Sequence, residues 1–381
     1  MKPMIFIVVV ICAILFSILP RHQGVAGETS KLFPIILNGK WGYINKSGNI
    51  IIKPQFDHAS HFSEGLAVIK ISNKLGYIDI TGKVVSAAQF DGADAFSEGL
   101  AAVNIGGKGG IGGRWLIEGG KWGFIDKIGK MIIKPQYNME WEYSFSEGLR
   151  SVEIGGKYGF IDRTGRVVIA PQFDKAWNFR ERLASVRVGA KRGYINKSGE
   201  MIIKPQFDRV SDFSEGLAAI EMNNEWGYIN SNAEIVIKPK FRMASPFSEG
   251  LACVKKGKYG ILSDGLNWIG MTSYAEEKYG YIDKTGNFII TPRYEYAHNF
   301  SEDLAAVKIN GKYGYISRTG EMIIKPQFQR ASNFSEVLAW VGFGHFVVKG
   351  GYIDRTGRYI WNPQINDTKD LEANGNNLLY M

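Results

Sequence analysis

The 381-residue chain holds only two cysteines, and one of them, Cys12, lies within its first 27 residues. The other, Cys253, cannot form an internal disulfide alone, so a disulfide scaffold and a cysteine-rich zinc module are both excluded. Proline is scarce at 12 residues and there is no Gly-X-Y triplet, which rules out a collagen-like chain. Histidines number five. No Gly-x-Ser-x-Gly elbow, His-Glu-x-x-His pair or Walker lysine occurs. Acidic residues are the minority, 37 against 46 Lys and Arg, giving a net charge of +9. Glycine, in contrast, stands at 46, about 12% against a usual ~7%, and aromatic residues at 13%. A hydrophobic content of 45% is enough for a buried core and excludes a wholly disordered chain.

The first 27 residues read as an address. Lys2 gives a positive start, Met4–Leu19 is apolar except for Ser17, Pro20 ends the run, and Gly24-Val25-Ala26-Gly27 offers small residues for cleavage. That is the layout of a secretory signal peptide over 1–27, which predicts a secreted or cell-envelope protein, in the periplasm or at the cell surface. The alternative is an uncleaved anchor, since the run approaches the lower limit of a membrane span. Cys12 follows Ile11 rather than a small residue, so it does not suit a lipoprotein. Cleavage would remove Lys2 and Arg21 and no acid, lowering the net charge from +9 to +7.

The remainder repeats. An aromatic-Gly-aromatic-Ile element starts at Trp41, Trp122, Tyr158, Trp226, Tyr279 and Tyr313, with variants at Leu75, Arg192 and Gly350. The nine starts are spaced by 34, 47, 36, 34, 34, 53, 34 and 37 residues. Such a period signals a solenoid, propeller or array. Pro-Gln-aromatic recurs, as at Pro54-Gln55-Phe56 and Pro326-Gln327-Phe328. Phe-Ser-Glu-Gly-Leu-Ala stands intact at Phe62–Ala67, Phe96–Ala101, Phe213–Ala218 and Phe247–Ala252.

Each piece has a local meaning. Trp-Gly-Tyr-Ile is a short strand. The Asp-Lys-Thr-Gly that follows, as at Asp283–Gly286, suits a hairpin loop closed by a left-handed glycine. At Asn230–Ala233 that glycine is missing, so a strained or different turn is expected. A second strand such as Met131–Lys134 comes next, and proline then ends its pairing or places it at a sheet edge. Phe-Ser-Glu-Gly reads as an apolar anchor and a turn. Leu-Ala-Ala-Val, as at Leu304–Val307, reads as the third strand, and Asn310-Gly311 as a hairpin turn into the next unit. The glycine of Trp-Gly-Tyr leaves room for a ring or another backbone.

Units this small must bury their faces against neighbours. The fold expected is all-β, about nine three-stranded units of 34 residues spanning 28–366, with a polar tail at 367–381. Leu32–Lys40 resembles Leu304–Lys312, and the last unit, Tyr352 to Ile365, lacks a third strand. An N-terminal strand completing that unit would close a ring. A unit that simply begins with this strand would need no such exchange. Stacking alone predicts an open, superhelical array, with a closed propeller-like ring as the alternative.

Catalytic candidates dissolve into the repeat. The Glu of Phe-Ser-Glu recurs at Glu64, Glu98, Glu147, Glu215, Glu249, Glu302 and Glu336, with Glu181 in a variant. An enzyme needs one constellation, so this Glu reads as structural, bonding turn donors. His58 and His61 lack further ligands and make no metal site. Cys253 aligns with Ala219 and Ala306 and reads as a small strand residue. Lys53, Lys134, Lys204, Lys238 and Lys325, each before a proline, read as edge protection. Gly107–Gly112 matches G-x-G-x-x-G but lacks the βαβ frame. It lies in an insertion, Asn104–Lys121. A second insertion, Asn267–Glu277, carries Trp268 and Tyr274 beyond a truncated copy at Tyr259–Gly265, and a lengthened loop, Asn138–Ser144, carries Trp141 and Tyr143. Insertions of a repeat are where a binding site is expected.

The Trp/Tyr-Gly-Tyr-Ile-Asp-Lys-Thr-Gly, Pro-Gln-Phe and Phe-Ser-Glu-Gly-Leu-Ala pieces resemble the bacterial WG-repeat, or KWG-repeat, family over residues 31–365. That resemblance implies a β-rich fold and no catalytic residues. Leu75, Arg192, Gly350 and the truncated copy depart from its pattern. The expected function is a secreted or envelope scaffold binding protein or glycan partners, with no catalytic, cofactor or metal residues, no nucleic acid, and binding residues unassigned. The alternative is a glycan-acting envelope enzyme with its site in an insertion, which would need paired carboxylates.

Overall fold

A two-residue turn decides which strands pair. Asn310 and Gly311 both take positive φ, 49° and 75°, and fold Leu304–Ile309 straight back onto Lys312–Ser317. The computed structural model, which describes residues 31–108, 117–138, 144–257, 277–343 and 349–362, repeats this hairpin through nine antiparallel sheets. The expected signal segment 1–27 and tail 367–381 lie outside the described residues.

In the second sheet, His58–Ala59 pairs with Leu66–Ile71, which pairs with Lys74–Asp79, which pairs with Val84–Phe90. The Leu-Ala-Ala-Val strand therefore belongs to the sheet of the Trp-Gly-Tyr strand that follows it rather than closing the preceding one, which shifts the expected unit frame. The tight turn on its C-terminal side dictates that neighbour. A fourth, short strand of two residues, just after Pro-Gln-Phe, was not foreseen. The order short, Leu-Ala, Trp-Gly, Pro-Gln holds in most sheets; the first and fourth sheets show three strands.

The Pro-Gln strand, Ile50–Phe56 in the first sheet, runs through its proline at the sheet edge. Trp41 pairs with Phe56 and Tyr43 with Ile52, so the register slips across Lys53–Gln55 in a bulge. The bulge lies against Gly42: a Cβ there would sit 2.6 Å from Pro54 N and 2.5 Å from Ile52 O. The same crowding by a proline bulge recurs at Gly123, Gly159, Gly193, Gly227, Gly280 and Gly314. Another backbone, not a ring, is what this glycine admits.

Neighbouring sheets meet through an aromatic pair. The second aromatic of Trp-Gly-Tyr packs on the Phe of the next Phe-Ser-Glu: Tyr43 on Phe62 at 4.7 Å, Tyr77 on Phe96 at 5.0 Å, Tyr281 on Phe300 at 4.7 Å and Tyr315 on Phe334 at 4.9 Å. Each such pair adds about 0.5–1.5 kcal/mol beyond area burial. The tyrosine hydroxyl then donates to the carbonyl just past the next blade's first strand, as Tyr315 Oη does to Ser332 O at 2.8 Å. Outer strands expose alternate residues such as Ile51 and Val84 and the pre-proline Lys53.

The sheets close on themselves. Phe33 packs on Tyr352 at 5.3 Å, and Tyr352 Oη donates to Pro34 O at 3.1 Å. Ile35, Ile44 and Leu338 complete a buried seam. Lys31 and Lys46 reach Glu336 at 3.6 and 3.2 Å. The molecule is thus a nine-bladed β-propeller, the ring alternative, and the open superhelical array is not what forms. Among the described residues no strand crosses the seam. Phe33–Leu37 pairs within its own blade, and Leu338–Phe343 supplies the last blade's Leu-Ala strand, so the last unit does not borrow that strand from the first. The first blade has no short strand among the described residues, and Phe33, standing where other blades carry Ala67 or Ala101, fills the place of the absent Phe-Ser-Glu phenylalanine.

Candidate functional site

The two ends of the ring differ. At one end lie the Phe-Ser-Glu-Gly and Asp-Lys-Thr-Gly turns, and their polar groups are consumed in joining blades. Ser63 Oγ donates to Phe96 O at 2.7 Å, and Ser301 Oγ to Phe334 O at 2.8 Å. Glu64 accepts Glu98 N at 2.7 Å and Gly99 N at 3.0 Å from the next blade, and Lys127 at 3.0 Å. Glu249 likewise takes Glu302 N and Asp303 N, and Glu215 takes Gly250 N and Lys284. Burial alone would raise the Glu64 pKa, but Lys127 and the two backbone donors lower it below the ordinary value. The repeated glutamate is structural, as its recurrence implied, and its donors belong to the following blade.

This carboxylate is held by strained backbone. All eight glutamates have φ between 49° and 55°. Glycine usually follows, but Val337 stands there at φ 68°, a poor conformation for a β-branched residue. Replacing Val337 with glycine should raise stability by about 1 kcal/mol, because the exposed side chain contributes little and its N–H bond to Glu302 at 2.9 Å is kept. A urea midpoint unchanged or lowered would contradict this. Ala233 takes φ 65° in a turn otherwise like its counterparts, with Asn230 Oδ1 accepting Asn232 N and Glu234 N, so that turn is strained and not different.

The opposite end carries the variable chemistry. In six blades, two-residue turns join the Leu-Ala strand (Phe33–Leu37 in the first blade) to the Trp-Gly strand there, while three blades have longer links: 109–117, 257–277 and 344–348. The first-strand residues at this end also change from blade to blade: His58, Gly92, Lys175, Arg209, Met243 and Tyr296. They flank the first aromatic of Trp-Gly-Tyr. His58 packs on Trp41 at 4.9 Å, Lys175 on Tyr158 at 4.9 Å, and Tyr296 lies between Tyr279 and Tyr313 at 5.3 and 6.3 Å. A belt of aromatic and basic groups results.

Between the sixth and seventh blades the belt opens into a groove of about 380 Å³ lined by Arg209, Glu221, Asn224, Trp226, Arg242 and Met243. Arg209 pairs with Glu221 at 3.0 Å. Arg242 donates to Asn224 O and to Glu277, each at 3.4 Å, and Lys255 also pairs with Glu277. The Lys255 and Arg242 contacts hold the Glu277 carboxyl below its ordinary range, against the opposing effect of burial. Glu277 thus joins the end of the Asn267–Glu277 insertion to the groove.

Asn104–Lys121 lengthens the hairpin of the third blade, whose ladder extends to Lys108 opposite Glu118. Gly107 lies on that hairpin, opposite Gly119, and not in a βαβ frame. Trp141, Tyr143, Trp268, Tyr274 and the copy at 259–265 lie outside the described residues. Cys253 is buried, its Sγ 3.5 Å from Ala297 O, and burial pushes its thiol up to about 12. Burial holds His58 below the ordinary histidine value. No group of three or more His, Cys, Asp or Glu suited to a metal occurs among the described residues, nor any helix long and apolar enough to cross a membrane.

Two features escaped the sequence reading. Arg150 is fully buried where every other blade but the first places an alanine, its guanidinium 5.0 Å from the Phe124 ring, and burial lowers its pKa to about 9. Aligning Leu149-Arg150-Ser151-Val152 with Leu304–Val307 would have exposed it. In the last blade, Gly350 replaces the aromatic and Trp340, from the adjacent strand, covers it.

No curated protein matches the chain. Among solved structures, the crystal structure of a eukaryotic initiation factor is similar with TM-score 0.61 and 11% identity over 87% of this chain and 95% of that one. The dihydro-heme d1 dehydrogenase NirN aligns with TM-score 0.44 and 11% identity over 90% of this chain and 74% of that one. Identities this low speak to fold alone. The family described as WG containing repeat matches residues 41–74, 76–108, 122–158, 158–191, 193–226, 226–259, 279–313 and 313–344, nearly all of the bladed region. These matches take in the crowded glycine, the proline bulge and the glutamate turn of one blade after another, and the chain belongs to the WG-repeat family.

Proposed function

We propose that the chain is a binding scaffold, exported to the cell envelope or beyond it, that holds a protein or glycan partner on the end of the ring bearing the long links. One observation carries the reading. All three lengthened links leave from one end, where the first-strand residues vary between blades, while the other end repeats the same inter-blade bonds. Nine internal copies separate what the ring needs from what is free to serve a ligand. The signal-like segment 1–27 supports export.

The test replaces residues 258–276 by Asn-Gly, leaving a four-residue link with Gly257 and Glu277 in place, and compares native and altered chains on a glycan array and against envelope extract. The expected result is an unchanged fold with at least tenfold weaker partner binding. Undiminished binding, or turnover of a bound glycan, would overturn the scaffold reading.

A further inference from the structure

Three cations lie side by side across the fifth blade. Lys175 is the ladder partner of Arg187, and Arg187 of Arg192. Like charges directly opposite one another in a sheet are destabilising. The equivalent row in the sixth blade, Arg209, Glu221 and Trp226, has an acid at its centre, and Arg209 pairs with it at 3.0 Å. The eighth blade carries one cation, Lys308, between two tyrosines. The fifth blade alone has basic residues at all three positions.

Lys157, the Gly189 N–H and, more weakly, the Arg187 charge hold a nearby acid, Asp174, below its ordinary range. Asp174 accepts Lys157 Nζ at 2.5 Å and Gly189 N at 2.6 Å. Arg187 Nε is buried without a hydrogen-bond partner among the described residues. Aromatic rings hold the flanking cations: the Arg192 guanidinium lies 4.3 Å from the Trp177 ring, and Lys175 Nζ donates to Tyr158 Oη at 3.2 Å. A fork of guanidinium donors beside an ammonium suits an oxyanion.

We infer that the Lys175–Arg187–Arg192 row is a binding site for one oxyanion: a phosphate, sulfate or carboxylate group. It names the ligand chemistry for the variable end and in that respect rests on the scaffold reading. Bound in the row, the anion adds to the charge of Asp174 the central countercharge that Glu221 supplies in the neighbouring blade. Free anion and anion carried on a polymer share this chemistry.

The experiment titrates the full chain with inorganic phosphate at constant ionic strength, balanced with chloride, by calorimetry and thermal melting. Arg187→Glu installs the acid of the sixth blade. It should weaken phosphate binding at least tenfold and raise the melting midpoint measured without phosphate. Arg187→Gln should give the same loss of binding and serves if the acidic variant does not fold. In a parallel arm, polyphosphate binding at least tenfold tighter than phosphate, and lost in the same variants, supports the site and assigns it to a polymer-borne group. Equal affinity for the two supports a free anion. Equal phosphate affinity in the native chain and both variants, or a response that chloride reproduces, overturns the site. Phosphate binding lost in the Arg187 variants, with partner binding untouched by replacing 258–276, would keep the site and remove the scaffold reading.

Discussion

Replacing Gly227 with valine should destabilise the ring by more than about 3 kcal/mol, with soluble yield and cooperative melting both lost. The first carbon of any side chain there would stand 2.6 Å from Pro239 N and closer still to Ile237 O. Both obstacles are backbone, fixed by the bulge that carries the proline past its sheet partner, so no rotamer change relieves them. Alanine should already cost much of the effect. By contrast, Gly216, in a Phe-Ser-Glu-Gly turn, meets nothing within 4 Å, and its constraint is φ 85° alone. Gly216→Ala should cost only about 1 kcal/mol. Equal, small losses at both positions in urea titrations would remove the crowding argument.

Phe33→Ala should cost about 3–5 kcal/mol at the first unfolding transition and open the ring. Phe33 is 4% exposed and packs edge-on against Tyr352, also 4% exposed. Phe33 is the ring at the centre of the seam that also holds Ile35, Ile44 and Leu338, whereas the Glu336 ion pairs with Lys31 and Lys46 are exposed and individually weak. Solution scattering should show the radius of gyration rising from the ~20 Å expected of a compact body of this size. A radius and melting profile like those of the native chain would show that the seam does not depend on this ring.

Much of the fold was legible in the sequence because its rules are local. The spacing of Trp-Gly-Tyr counts the blades, and Asp283–Gly286 forms the expected turn, with Asp283 Oδ1 accepting Thr285 N and Asn287 N and Gly286 at φ 86°. Closure was not legible. Its contacts join residues 318 apart, and they use Phe33, which reads as a mere departure from alanine until its partner Tyr352 is in place. The strand frame was ambiguous because Leu-Ala-Ala-Val lies between a long loop and a short turn, and only pairing shows that the short turn rules. The candidate site was legible only in outline. Insertions marked one end, but Lys175, Arg187 and Arg192 are scattered in sequence and become a row only through strand register.

The unexchanged seam also bears on how the ring assembles. Every ladder joins strands that are consecutive in the chain, so each blade can zip up beside its predecessor at small loop-closure cost, unusual for an all-β protein of this length. The long-range entropy is met once, at the final docking of the last blade onto the first. Folding should therefore run as rapid nearest-neighbour growth followed by a single slow step.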